Sequence, residues 1–181
     1  MTIRKILIAP DKRLKQRSRP VEAVDDSVRA LVDDMFETMY AADGLGLAAI
    51  QVGEPKRIIV ADVHGKDDPP NPVCLINPEV IEAGDEPIVH EEGCLSLPDQ
   101  FAEIKRPRKV RMRYLDRDGE IREMEAEGVL AVCLQHEMDH LEGVLFVDHI
   151  SALKRGMILR KLAKAKRSEG ETLGQPQAAR A

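Results

Sequence analysis

At 181 residues and 20.2 kDa, with 43% hydrophobic and 33% charged residues, the chain has the length and balance of one folded domain. A net charge of −5, no tryptophan, two tyrosines and three phenylalanines argue against nucleic acid, DNA included, as the main partner. No apolar run approaches the ~18 residues of a membrane span. Ile3 to Ile8 is too short and poorly flanked for a signal segment, so a cytoplasmic location is expected.

The first predicted element is a helix from about Asp26 to Ala42, capped by Asp25, Asp26 or Ser27. Val28, Leu31, Val32, Met35, Phe36 and Met39 fall on one face, so Met35 and Met39 read as core rather than as a ligand stripe. Gly44-Leu45-Gly46-Leu47-Ala48-Ala49-Ile50-Gln51 follows. Its glycines allow a backbone to approach a ligand closely, but the run reads equally as a helix end followed by a buried strand. Gln51 closes it with an amide able to donate to a developing oxyanion.

Strands are predicted from about Arg57 to Val63 and from about Val73 to Ile81, with Cys74 a small core residue. The polar loop His64 to Pro70 lies between them, and His64 is expected to be solvated there. Cys94 stands in Glu91-Glu92-Gly93-Cys94-Leu95-Ser96-Leu97-Pro98, beside a glycine and shortly before a proline. Cys74, Cys94 and Cys133 without a secretory signal do not suggest disulfides. Spacing alone leaves Cys94 open between metal ligand and small structural residue. A strand from Lys109 to Leu115, the turn Asp116-Arg117-Asp118-Gly119 and a strand from Glu120 to Ala126 form a predicted hairpin.

Val129 to Gly143 reads as one buried helix containing His136-Glu137-Met138-Asp139-His140. Histidines at i and i+4 lie on one helix face, about 6 Å apart along the axis, and both reach one divalent ion. Glu137 is placed to face the open side of that ion, and so many polar groups in a buried run need such a partner. A catalytic ion of this type takes three protein ligands. Where a metzincin carries its third histidine this chain has Phe146, Glu142 is too close along the helix, and Glu169 and Glu171 sit in a polar tail. That speaks against a metallopeptidase, and the lack of a fourth ligand speaks against a structural zinc module. Val129, Val132 and Cys133 precede His136 by one to two turns and form an apolar wall suited to a methionine side chain.

His149 is expected to be structural. Ser151 caps a last helix from Ala152 to about Arg167, whose Lys154, Arg155, Arg160, Lys161, Lys164, Lys166 and Arg167 have no acid between them. The domain is placed at residues 1–167 and a disordered tail at 168–181. The order of strands, ligand-bearing helix and terminal helix gives an α+β class.

The three segments Gly44 to Gln51, Glu92 to Pro98 and Gln135 to Gly143 resemble, in this order, the three motifs of bacterial peptide deformylases. The resemblance runs from about Ile6 to about Arg167. It implies antiparallel sheets around a central helix that carries His136 and His140. It implies Cys94, His136 and His140 as metal ligands, Glu137 as catalytic acid/base, and the Gln51 side chain with the Leu95 N–H as oxyanion site. The first side chain of the substrate is implied to enter a pocket of Leu45, Val129, Val132 and Cys133. Gly46, Glu92 and Gly93 would border the peptide, and Arg106 would stand near its far end. His90 departs from the family, in which this position is often apolar or aromatic; Leu97 is a milder change.

The implied cofactor is one divalent ion per chain, Fe(2+) in the cell, replaceable by Zn(2+), Ni(2+) or Co(2+). The implied reaction is hydrolysis of the formyl group from N-formylmethionyl nascent polypeptides: water on the metal attacks the formyl carbon, Glu137 shuttles the proton, and formate leaves. Some members use a C-terminal helix to dock on the ribosome, and the basic last helix is a candidate for that role.

Overall fold

The computed structural model describes residues 2–65 and 68–173, with side chains as far as Arg167. In chain order it contains α1 (Asp26–Ala41), β1 (Gly46–Ala48), β2 (Ile58–Ala61), β3 (Val73–Ala83), β4 (Pro87–Cys94) and β5 (Leu97–Pro107). β6 (Lys109–Leu115), β7 (Ile121–Glu127), α2 (Val129–Leu141) and α3 (Ala152–Leu173) complete it, with short 3-10 turns between. The class is α+β: all strand pairs are antiparallel, in a five-stranded sheet of order β1-β2-β3-β6-β7 and a separate ribbon of β4 and β5.

The large sheet is covered on both faces. Ile59 and Ala61 of β2 pack with Ala131, Leu134 and Leu141 of α2, whereas Ile58 and Val60 pack with Val28, Leu31, Met35 and Met39 of α1. Alternate side chains of a strand face opposite sides, so a strand buried on both reads as an unbroken apolar run. Asp25 caps α1, its carboxylate accepting from the Val28 N–H at 2.9 Å. The β6–β7 hairpin pairs Lys109 with Glu127 through to Leu115 with Ile121 across the predicted turn.

β4 and β5 have no counterpart among the predicted strands. Their ribbon is mostly exposed, so an apolar alternation never develops; Leu97, Ile104 and, partly, Cys94 and Ala102 enter a third core with Leu14, Phe146, Val147 and Leu162. At the tip the ladder slips: Gly93 faces Phe101, but Cys94 faces Leu97. Such a bulge bends one strand and re-aims a side chain, here the Cys94 thiol.

α2 stops where Gly143 adopts a left-handed φ of 73°. Any Cβ there would stand 2.5 Å from the Lys15 carbonyl oxygen, so the turn and the close approach both require glycine. Ser151 Oγ accepts from the Lys154 N–H at 3.3 Å at the start of α3. That helix continues to Leu173, so the tail placed at 168–181 begins as helical backbone; 174–181 lie outside the described residues. No helix among the described residues is long and apolar enough to cross a membrane.

Candidate metal centre

α2 presents His136 and His140 one turn apart, with ring centroids 5.0 Å apart. The ribbon tip brings Cys94 to them: its Sγ lies 3.2 Å from His140 Nε2, and one donor atom from each of the three residues falls within 4.8 Å of the others. His140 is fully buried and His136 nearly so. Three converging donors, one thiolate-forming and two imidazole, suit a divalent transition metal. Glu137 stands next to them with its Oε2 buried and without a hydrogen-bond partner. Burial pushes its carboxyl up to about 7. A buried carboxylate oxygen without a partner beside three such donors fits a site that works on a bound group.

His136 is oriented from behind. Its Nδ1 meets Glu92 Oε2 at 2.8 Å, which leaves Nε2 for a metal. Burial opposes the Glu92 charge, but the hydrogen bonds from His136 and Arg106 outweigh it and hold the carboxyl down at about 2. Arg106 grips Glu92 through Nε at 2.5 Å and a terminal nitrogen at 2.9 Å, and reaches Asp139 at 2.9 Å. Asp139 in turn accepts from His149 Nε2 at 2.7 Å. The chain of partners therefore joins β4, β5, α2 and the segment after it.

A cavity of about 520 Å³ opens over the centre. Leu45, Gly46, Glu92, Gly93, Cys94, Leu95, Val129, Val132, Cys133, His136 and Glu137 all line it, as does His90. A Cβ at Gly46 would lie 2.7 Å from both Cys133 Sγ and Glu137 Oε1, so β1 passes the carboxylate only because this residue has no side chain.

Arg106 lies elsewhere. Expected near the far end of a substrate, it is 6% exposed, does not line the cavity, and is spent on its two carboxylates. Glu92 lines the cavity wall but is likewise engaged, 4% exposed, with His136 and Arg106. Gln51 is buried and not part of the lining; its Nε2 lies 3.6 Å from Cys94 Sγ and 3.2 Å from Ser96 Oγ, while its Oε1 accepts from the Ala48 N–H at 2.8 Å.

Phe146, in the place of a third histidine, is buried with its ring 6.3 Å from that of His136. His64, expected to be solvated, bonds the buried Asp62 at 2.8 Å. Two contributors went unread in the sequence: Asp139, whose exposed-looking place inside the motif hides its contact with Arg106, and Phe101, a lone aromatic on the unread ribbon.

Fold and site together have the make-up of a metal-dependent hydrolase: a helix with two histidines, a cysteine brought to them from another element and a buried acid. A family model described as polypeptide deformylase matches residues 3–156. A peptide deformylase of Mesorhizobium japonicum is 57% identical over 164 residues, covering 91% of this chain and 93% of its own. Another, from Rhizorhabdus wittichii, is 56% identical over 93% of this chain and 98% of its own. The crystal structure of peptide deformylase from Ehrlichia chaffeensis superposes with a TM-score of 0.89 at 45% identity, covering 93% of this chain and 99% of that one. The same enzyme has been solved with actinonin, at a TM-score of 0.89 and 46% identity over 92% of this chain and 99% of that one. The chain belongs to the polypeptide deformylase family and is a hydrolase.

Proposed function

We propose that this hydrolase removes the formyl group from the N-terminal formylmethionine of newly made polypeptides, with Cys94, His136 and His140 holding one catalytic metal ion. The carrying observation is the convergence of those three donors within 4.8 Å beside Glu137, whose Oε2 is buried without a hydrogen-bond partner. The donor set suits Fe(2+), Zn(2+), Ni(2+) and Co(2+) alike; following the family resemblance, Fe(2+) is the ion in the cell and the others replace it.

An ion held by Cys94, His136 and His140 would supply Lewis acidity and would make a water acidic near neutrality. Glu137 takes the proton of the attacking water on its carboxylate and hands it to the leaving amine, a role its buried place beside the three donors allows. The Gln51 amide is held by the Ala48 N–H on its oxygen, so its Nε2 is turned toward the Cys94 side of the site. With the Leu95 N–H it meets the charge that grows on the formyl oxygen. Leu45, Val129, Val132 and Cys133 receive the methionine side chain, Gly46 and Gly93 border the peptide, and Glu92 sets the His136 ring.

Protein purified without oxygen is expected to carry iron and to release formate from formyl-Met-Ala. Full metal occupancy without formate release overturns the reading.

The basic residues of α3 also support ribosome docking in the cytoplasm. Reversing Arg160 and Lys161 to glutamate should weaken cosedimentation with ribosomes at low salt. Equal binding by both forms removes that role.

A further inference from the structure

Outside the cavity, a second groove of about 390 Å³ runs between the ribbon and α3. Its walls are Phe101 and Glu103 on β5, and Lys154, Met157 and Ile158 on α3, with Ile150 between. One residue belongs to both hollows. Phe101 is 61% exposed, faces Gly93 directly across the ribbon, and lines the metal-side cavity as well as the groove. A Cβ at Gly93 would come within 2.6 Å of Phe101 Cε1, so the ring lies flush on the glycine and leaves one continuous wall.

We propose that this groove is an extension of the substrate site that binds the part of the formyl peptide downstream of its first residues. The proposal rests on the deformylase reading of the cavity. A peptide whose first side chain is seated beside the metal must run out along the cavity wall, and an extended chain advances about 3.3 Å per residue. Past Phe101, which lines both hollows, it meets the groove.

The lining suits such an occupant. Met157 is 58% exposed on the helix face that turns toward β5, although a large apolar side chain gains by being covered. A flexible thioether adapts to side chains of different shape, which a substrate with no fixed downstream sequence requires. Glu103 and Lys154 offer one acid and one base to the peptide without imposing a net charge. The groove therefore adds affinity for length and for apolar content, and little sequence preference.

Two substrates separate the possibilities: formyl-Met-Ala, too short to reach the groove, and a formyl-Met octapeptide with leucines at positions four to six. The wild-type enzyme should show a KM about fivefold to tenfold lower for the octapeptide, the gain expected from covering one apolar side chain. Met157→Glu should abolish that gain and leave the dipeptide rate as it was, which also reports that the site is still folded. Equal KM values for the two substrates in wild type, or a length gain that survives Met157→Glu, overturns the extension. Failure to release formate from the dipeptide would instead overturn the deformylase reading itself.

Discussion

The two regions that bring Cys94, His136 and His140 together are built in opposite ways. α2 is seated by packing: Ala131, Leu134 and Leu141 are buried against the large sheet, and His140 is carried in with them. The β4–β5 ribbon belongs to no larger sheet, touches the core at few points, and is tied to α2 through the buried Glu92–Arg106–Asp139 ion pairs. Packing is tolerant of sequence and forgiving in geometry, whereas a buried charge network holds position only while every partner is present. The ligand set is thus as stable as its electrostatic half.

The largest effect should fall on the packed half, where chemistry and not position is lost. Glu137→Gln keeps the shape of the side chain but cannot move a proton; formate release should drop by about 10³-fold or more with metal content and unfolding midpoint preserved. Retained turnover would take the proton transfer away from Glu137. Next comes the clamp. Arg106→Met leaves the buried Glu92 and the partly buried Asp139 without their cation and should cost about 3–5 kcal/mol in urea unfolding. It should also weaken metal binding by about 10- to 100-fold through the freed His136 ring. A cost below about 1 kcal/mol would mean that Leu97 and Ile104 alone seat the ribbon.

Gly46→Ala tests the approach of β1 to the centre. Its methyl group must displace the Glu137 carboxylate or the Cys133 sulfur, and an ångström of misplacement can cost about 10²-fold in rate. Measured kcat should fall while metal content stays. The smallest effect belongs to the outer end of the network: His149 is half-exposed beside Asp139, and His149→Ala should change stability by about 1 kcal/mol or less. A large loss there would show that the clamp extends to the surface.

Where burial is two-sided or strictly periodic, the chain was readable. Met35 and Met39 proved fully buried, β6 ran over the predicted Lys109 to Leu115, and α2 began at the predicted Val129 and closed on Gly143. The pair His136 and His140 was legible for the same reason, since helical spacing is local geometry. The ribbon was not legible because its strands are largely solvated, bounded by Pro87 and Pro107 with Pro98 near the tip, so no apolar rhythm marks them.

Local sequence carries what periodicity and turn chemistry can encode: the α+β class, the helix that bears two ligands, and the hairpin at Asp116 to Gly119. The meeting of Cys94 with that helix is different in kind, and spacing left it open until the family motifs were considered. It depends on a slipped register between Gly93 and Cys94 and on contacts between residues far apart in the chain. Arg106 shows the same limit, because the family resemblance put it near a peptide's far end while the fold buries it between Glu92 and Asp139. Long-range pairing of charge and the partners of a buried group are properties of the packed chain, and only the folded arrangement decided them.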